Sequence, residues 1–191
     1  MRFLLICGSL DLSLRTTTEL RRAFYHLMAS TTRMKHVPEI RVAVLADAEK
    51  ITSVINAAFR IVEGFFVDGD RIKLDEVQRS FATGAFLVAV DDDRVIGCVY
   101  VESRGERAYL GLLSVDPECQ QKGLGSRLMT AAEAYCAQGG ARFMDIYIVN
   151  LRTELPPFYR QRGYVENGTT PFPADVPTKQ PCHFINMSKP L

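Results

Sequence analysis

The residues best placed to do chemistry run from Leu112 to Met129, L-L-S-V-D-P-E-C-Q-Q-K-G-L-G-S-R-L-M. An apolar strand pattern ends at Val115, Asp116-Pro117 turns the chain, and Gly123-Leu124-Gly125 leads into a helical apolar period. Two glycines let backbone amides approach a ligand closely. A helix start adds unpaired N–H groups and the positive end of the peptide dipoles. Together they form an anion site suited to phosphate or pyrophosphate, with Lys122 and Arg127 adding positive charge. A P-loop is excluded, because G-x-x-x-x-G-K-[ST] is absent. A dinucleotide fingerprint is excluded too: Leu128 stands where a third glycine belongs, and Gly123 lies eight residues past Val115. Taken alone, the two glycines fit a left-handed turn and a close helix–sheet contact equally well.

A second segment supplies the context. Asn150 follows a strand pattern, and Phe158-Tyr159-Arg160-Gln161-Arg162-Gly163-Tyr164 comes shortly after it. The pattern V-D-P-x-x-Q-x-K-G-L-G-S-x-L resembles the acetyl-CoA motif of the GNAT N-acetyltransferase superfamily. The segment from Asn150 to Tyr164 resembles that family's N … FY-x-x-x-G-F/Y signature. The resemblance runs from about Pro38 to Leu191.

The resemblance implies an α/β (α+β) GNAT fold: a mixed central sheet splayed between its fourth and fifth strands and flanked by helices. It implies transfer of an acetyl group from acetyl-CoA, as co-substrate, to a primary amine of a small molecule or peptide. The amine would attack directly in a ternary complex. Pantetheine would pair with backbone near Leu113, Ser114 and Val115. The pyrophosphate would rest on the amides of Gln121, Lys122, Gly123, Leu124, Gly125 and Ser126, with Gln120 at the head of the motif also among the cofactor contacts. Asn150 would touch the pantetheine arm or the acetyl region, and Tyr159 would stand near the thioester sulfur. A non-catalytic acyl-CoA-binding or regulatory module of the same fold is the alternative.

The chemistry sets further requirements. A free alkyl amine of pKa near 10.4 is only about 0.1% neutral at pH 7.4, equivalent to roughly 4 kcal/mol. The site therefore needs a base, a water path to one, or a desolvating pocket. The oxyanion formed on attack can be stabilised by strand N–H groups beside the splay. The leaving thiolate resembles cysteine, and a phenol can protonate it, which is the role assigned to Tyr159; otherwise Tyr159 is a core aromatic beside Phe158 and Tyr164. Glu102, at the end of one strand, and Asp145, within another, are the base candidates, and Glu154 is a third. Glu102 and Asp145 each read first as a solvated or paired carboxylate, and a water relay needs no side-chain base. Arg152, Arg160 and Arg162 could receive a CoA phosphate or an acidic substrate, or form a solvated face. Acceptor choice is expected from the first helix and the loop Ile61 to Leu74, where Phe65, Phe66, Asp68 and Asp70 stand.

The surrounding elements alternate. The pattern predicts a strand over Glu39 to Leu45, and Asp47 as N-cap of a helix with Ile51, Val54, Ile55 and Phe59 on one face. It predicts a short helix over Leu74 to Phe81. Strands over 86–90 and 95–101 are joined by a hairpin at Asp91 to Arg94. A strand over Ala108 to Val115, a helix over Gly125 to Ala137 and a strand over Phe143 to Val149 follow. Then come a short helix over Phe158 to Arg162 and strands over Tyr164 to Glu166 and His183 to Met187.

The 191 residues suit one domain of about 150 with an appendage. Apolar residues are 47% and charged residues 24%, so a core is affordable and disorder is not indicated. A net charge of +1 argues against a dedicated nucleic-acid binder. No run of 18 apolar residues exists to cross a membrane. Asp11 and Arg15 break the apolar start before a signal peptide is complete, so a cytoplasmic protein is expected. The five cysteines lack C-x-x-C spacing and read as free thiols. Adjacent Cys182 and His183 face opposite ways on a strand, so no metal is expected. A seam near Pro38 separates residues 1–37, an N-terminal appendage, from the domain 38–191. Residues 1–36 resemble the opening strand, G-S-L-x-x-x-S loop and helix of flavodoxin-like FMN reductases. That segment is too short for a doubly wound sheet, so no flavin is expected. Dimers are common in proteins resembling this one, so a homodimer is a further expectation.

Overall fold

The computed structural model describes residues 37–191 except 68, 121, 122 and 175. The expectations on residues 1–36, Asp68, Gln121 and Lys122 lie outside the described residues. Contacts divide the chain after Val37, and the unit from Pro38 to Leu191 is the one described below.

Seven strands form one sheet: β1 (Glu39–Val42), β2 (Ala85–Asp91), β3 (Arg94–Arg104), β4 (Arg107–Val115), β5 (Phe143–Val149), β6 (Val165–Pro171) and β7 (His183–Pro190). Their order is β1-β2-β3-β4-β5-β7-β6. Every pairing is antiparallel except that of β4 with β5. Four helices accompany them: α1 (Ala48–Glu63), α2 (Leu74–Ser80), α3 (Leu124–Gln138) and α4 (Leu155–Arg160). None is long and apolar enough to cross a membrane. Cys98, Cys119, Cys136 and Cys182 are free thiols.

Each face of the sheet has its own core. Ile51, Val54 and Ile55 of α1 pack with Val77 of α2 on Phe86, Val88, Cys98 and Tyr100. This is the helix face read from the apolar period. Leu124, Leu128, Met129, Ala132 and Cys136 of α3 cover the other side, against Leu87, Val99, Val101, Leu110, Met144, Ile146 and Ile148. Gly97 permits the close approach of α3: a Cβ there would lie 3.0 Å from Leu128 Cδ1 and 3.0 Å from the Ser114 carbonyl. The hairpin between β2 and β3 turns on Asp92 (φ 45°) and Asp93 (φ 63°), a double left-handed turn that aspartate tolerates.

The first strand is shorter than expected. It ends at Val42, and a 3-10 turn, Leu45–Asp47, leads into α1. Asp47 stands at the N-cap position but makes no cap bond to the helix. Its buried carboxylate instead accepts the Val44 N–H at 2.9 Å and both Nη groups of Arg41 at 2.8 and 3.0 Å. The Arg41 hydrogen bonds hold the Asp47 carboxyl below the usual carboxylate range, against the cost of burial. A lowered folded pKa contributes stability that is present above the unfolded value, about 3.9, and is lost as pH falls through the folded one. Asp47→Asn is therefore expected to destabilise the protein by about 1–3 kcal/mol at pH 7. Urea unfolding between pH 7 and pH 3 should show the difference from wild type closing at the acid end.

Candidate active site

The parallel pairing of β4 with β5 is brief. It matches Arg107 with Phe143, Ala108 with Met144 and Tyr109 with Asp145, and then stops. On its other edge β4 follows β3, but Tyr100 faces Gly111 and Cys98 faces Ser114, so Leu112 and Leu113 share the single partner Val99. That is a β-bulge, and it bends the strand. Leu112 carries it in a left-handed conformation, φ 52°, at a cost of roughly 1–2 kcal/mol for an L residue. The Ser114 hydroxyl, itself buried, donates to the Leu112 carbonyl at 3.0 Å. From Leu110 onward β4 has no strand beside it on the β5 side. The splay expected between strands 4 and 5 is this opening.

The opening runs to the N-terminus of α3. Gln120, Gly123, Leu124, Gly125 and Ser126 line it together with Leu113, Ser114 and Val115, and the cleft encloses about 660 Å³. Gly123 is the N-cap of α3 with φ 73°, a conformation that favours glycine, and no side chain caps the first turn. The first-turn amides are thus left to a ligand or to water. At Gly125 a Cβ would meet nothing nearer than Val115 Cγ2 at 3.8 Å, so space stands open there. Gln120 Nε2 donates to the Val115 carbonyl at 3.2 Å. The Arg162 guanidinium stacks 3.5 Å from the centre of the Phe158 ring and donates to Ser126 Oγ at 2.6 Å. Arg127 is used otherwise than expected: its Nη2 donates to the Pro38 carbonyl at 2.8 Å and anchors the start of the domain.

Tyr159 of α4 lines the same cleft and is 8% exposed. Its ring meets Phe158 and Tyr164 edge-on, with centroids 5.1 and 5.6 Å apart. No described residue hydrogen-bonds its hydroxyl, and burial pushes the phenol up to about 12. Along the cleft wall Tyr109 stacks on Tyr147 across the splay at 5.4 Å, and Phe184 lies 6.3 Å beyond.

Three other expected residues are absent from the cleft lining. Asn150 Oδ1 accepts the His183 N–H at 2.9 Å and ties β5 to β7. Glu102 is held by Arg104 Nε and Nη2 at 3.0 and 3.1 Å, and these hydrogen bonds keep its carboxyl below the usual range. Both oxygens of Asp145 are taken by Arg107, one of them at 2.6 Å, at the closed end of the splay. The acceptor loop differs too: Phe66 is fully buried, and Asp70 pairs with Arg60 at 2.9 Å. Arg160 pairs with Glu166. Glu154 does line the cleft, but Arg152 Nε donates to it at 2.6 Å. Burial is the largest influence and raises its carboxyl, but the Arg152 hydrogen bond, a backbone hydrogen bond and the Arg152 charge together leave it lowered.

The carboxylate that faces the cleft with little to hold it is Glu63, the last residue of α1. Its side chain is 12% exposed, with Arg71 Nε at 3.6 Å and Arg152 Nη1 at 3.9 Å. No hydrogen bond from a described residue reaches its carboxylate. Desolvation raises its pKa, only partly opposed by the charges of Arg71 and Arg152. The helical period carried a clue to it: Ile55, Phe59 and Glu63 continue one stripe at four-residue steps. Among the described residues, no cluster of three or more His, Cys, Asp or Glu gathers as a metal would require.

The comparisons fit this geometry. The family model described as an acetyltransferase (GNAT) domain matches residues 82–166. The PaiA N-acetyltransferase of Thermoplasma acidophilum, solved with coenzyme A, superposes with TM-score 0.64 at 21% identity, over 81% of this chain and 99% of that one. A GNAT phosphinothricin acetyltransferase of Sinorhizobium meliloti, solved with acetyl-CoA, gives 0.65 at 22% identity, over 81% and 89%. The ribosomal-protein-alanine N-acetyltransferase of Brucella melitensis gives 0.65 at 17%, over 80% and 99%. No curated protein sequence matches the chain. The matched domain, on a mixed sheet opened between its two parallel strands, is that of an acyltransferase. Residues 82–166 match the GNAT acetyltransferase domain, and the sheet and helices around them have the fold of these GNAT structures.

The setting of Glu63 has a measurable consequence. A carboxyl raised on folding is destabilising when ionised, and that penalty vanishes below the unfolded value near 4.3, where both states are protonated. Glu63→Gln is therefore expected to raise the thermal midpoint at pH 7–8. The gain should shrink as the pH is lowered toward 4 in a differential scanning series.

Proposed function

We propose that residues 38–191 transfer an acetyl group from acetyl-CoA to a primary amine by direct attack in a ternary complex, with residues 1–37 as a separate appendage. The observation that carries this reading is the continuity of one cleft. The unpaired edge of β4, the uncapped start of α3 and the free hydroxyl of Tyr159 all open into it. Pantetheine lies along Leu113, Ser114 and Val115 and bonds the backbone groups that β5 leaves unpaired. The pyrophosphate sits on the first turn of α3, at Gly123, Leu124, Gly125 and Ser126, where free N–H groups and the helix dipole favour an anion. Gln120, Gln121 and Lys122 complete that loop. Arg162, fixed against Ser126, adds positive charge beside it.

In the reaction the amine nitrogen bonds to the thioester carbon, and the oxyanion meets N–H groups along the open edge of β4. Collapse breaks the C–S bond and releases a thiolate beside Tyr159. A phenol at about 12 is a weak acid towards a thiol of about 8.5, and full transfer would be uphill by roughly 5 kcal/mol. Burial of the thiolate in the same cleft narrows that gap. Tyr159 therefore serves first as a hydrogen-bond donor to the developing thiolate, passing its proton as solvent returns. Glu102 and Asp145 are not assigned as the base, because Arg104 and Arg107 hold them outside the cleft. Asn150 keeps the end of β5 in place and acts on the cofactor only through that strand.

Two variants test the halves of this reading. Tyr159→Phe should lower kcat by about 10- to 100-fold, with acetyl-CoA affinity within about twofold by calorimetry. Gly125→Ala adds a Cβ where the folded protein has room but an anion would sit. It should keep the unfolding free energy within about 0.5 kcal/mol and weaken acetyl-CoA binding tenfold or more, by roughly 1.4 kcal/mol.

A further inference from the structure

Glu63 and Arg71 form a pair that the transfer chemistry described so far does not use. Both line the cleft, together with the aromatic side chains of Tyr109, Tyr147 and Phe184. The Glu63 carboxylate is nearly buried and accepts no hydrogen bond from a described residue. The Arg71 guanidinium rests 5.3 Å from the centre of the Phe59 ring and approaches Glu63 most closely through Nε, at 3.6 Å. Its two Nη groups make no hydrogen bond to a described residue. Elsewhere in this domain carboxylates are taken up closely by arginine: Asp47 by Arg41, Glu102 by Arg104, Glu154 by Arg152. Here a buried acceptor and an unfilled donor fork stand side by side and stay slack.

Such a pair matches a ligand that carries a cation and an anion on neighbouring atoms. We infer that the acceptor is an α-amino acid, with its ammonium on Glu63, its carboxylate on the Nη fork of Arg71 and its side chain against Tyr109, Tyr147 and Phe184. The inference rests on the acetyl-transfer reading and names the substrate of that same cleft. The ammonium and carboxylate of an α-amino acid stand on one carbon, and the two side chains that would receive them come within 3.6 Å of one another, Arg71 Nε to Glu63. A bidentate guanidinium–carboxylate contact is directional and strong. A nearly buried carboxylate whose lone pairs accept no hydrogen bond gains most from a charged donor. The aromatic wall favours a large apolar side chain.

The protons balance as follows. The ammonium gives one proton to Glu63, which passes it to water. The freed lone pair forms the C–N bond as the C–S bond breaks, and the second N–H proton ends on the CoA thiol by way of Tyr159. The third stays on the amide nitrogen.

Thiol release from acetyl-CoA by the full-length protein is the test, with phenylalanine, leucine, alanine and phenethylamine as acceptors. Phenethylamine is phenylalanine without its carboxylate. Wild type should favour phenylalanine over phenethylamine by about tenfold or more in kcat/KM, and over alanine as well. Arg71→Gln should bring the phenylalanine-to-phenethylamine ratio close to one. Glu63→Gln should lower turnover of both by about tenfold or more, with a thermal midpoint showing that it folds. Equal use of the two acceptors by wild type, or a ratio that survives Arg71→Gln, overturns the inference. Calorimetric binding of acetyl-CoA without turnover of any amino acid overturns it too, while leaving the donor half intact. Failure of acetyl-CoA to bind overturns the acetyl-transfer reading itself.

Discussion

Beyond Tyr109, the fourth strand is a strand on one edge only. Everything at the cleft follows from that constraint. A parallel pair needs continuous register, and register ends where the bulge at Leu112 turns β4 aside. The bend stores strain in one left-handed leucine, and local interactions offset it: the Ser114 hydroxyl satisfies the Leu112 carbonyl, and the neighbouring side chains are packed on both faces. At the closed end Arg107 clamps Asp145, and Tyr109 stacks on Tyr147. The gap is thus built into the strands and exists before any ligand arrives. Binding need not then pay for opening it.

Charge placement follows a second logic. Arginines lie close to most of the acidic side chains that would compete for a substrate, so those carboxylates are already occupied. Asp47 is the structural extreme, turned away from the helix it precedes to join Arg41 under the edge of β1. Glu63 is the opposite case. It is buried at the end of α1 and faces two guanidiniums at distances too long for hydrogen bonds. A site that holds a charge poorly in the empty protein is a site that can hold one well when filled.

Much of this was readable from residue order. The glycine loop before α3, the buried face of α1, the Asp92-Asp93 hairpin and the placement of the splay follow from spacing and from the family pattern. The cross-strand partners did not. Period-two alternation tells which face Glu102 and Asp145 share, but not that Arg104 and Arg107 wait beside them. Asn150 looked like a cofactor contact because it follows β5, and it spends its side chain on the backbone of β7. The pattern announces a strand only as far as Glu166; beyond it the polar run Asn167-Gly168-Thr169-Thr170-Pro171 has no apolar alternation to show that β6 continues. It is an exposed edge held by pairing with β7. Glu63 was hidden by its type, since an acid at a helix end ordinarily faces water.

The bulge in β4 also reassigns every side chain that follows it. Ahead of it, Ala108 and Leu110 point to the α3 core; after it, Leu113 and Val115 do so, while Leu112 joins the α1 core. One extra residue acts as a frameshift in the two-residue code of a strand. The odd-numbered positions then take over the α3-facing side that the even-numbered ones had. A single deletion at Leu112 would restore the straight ladder and leave Leu113 and Val115 on the α3 side, because the extra residue is the one removed. The bend beside the glycine loop is therefore specified by one inserted residue, while the packing of the strand's end is specified by the residues around it.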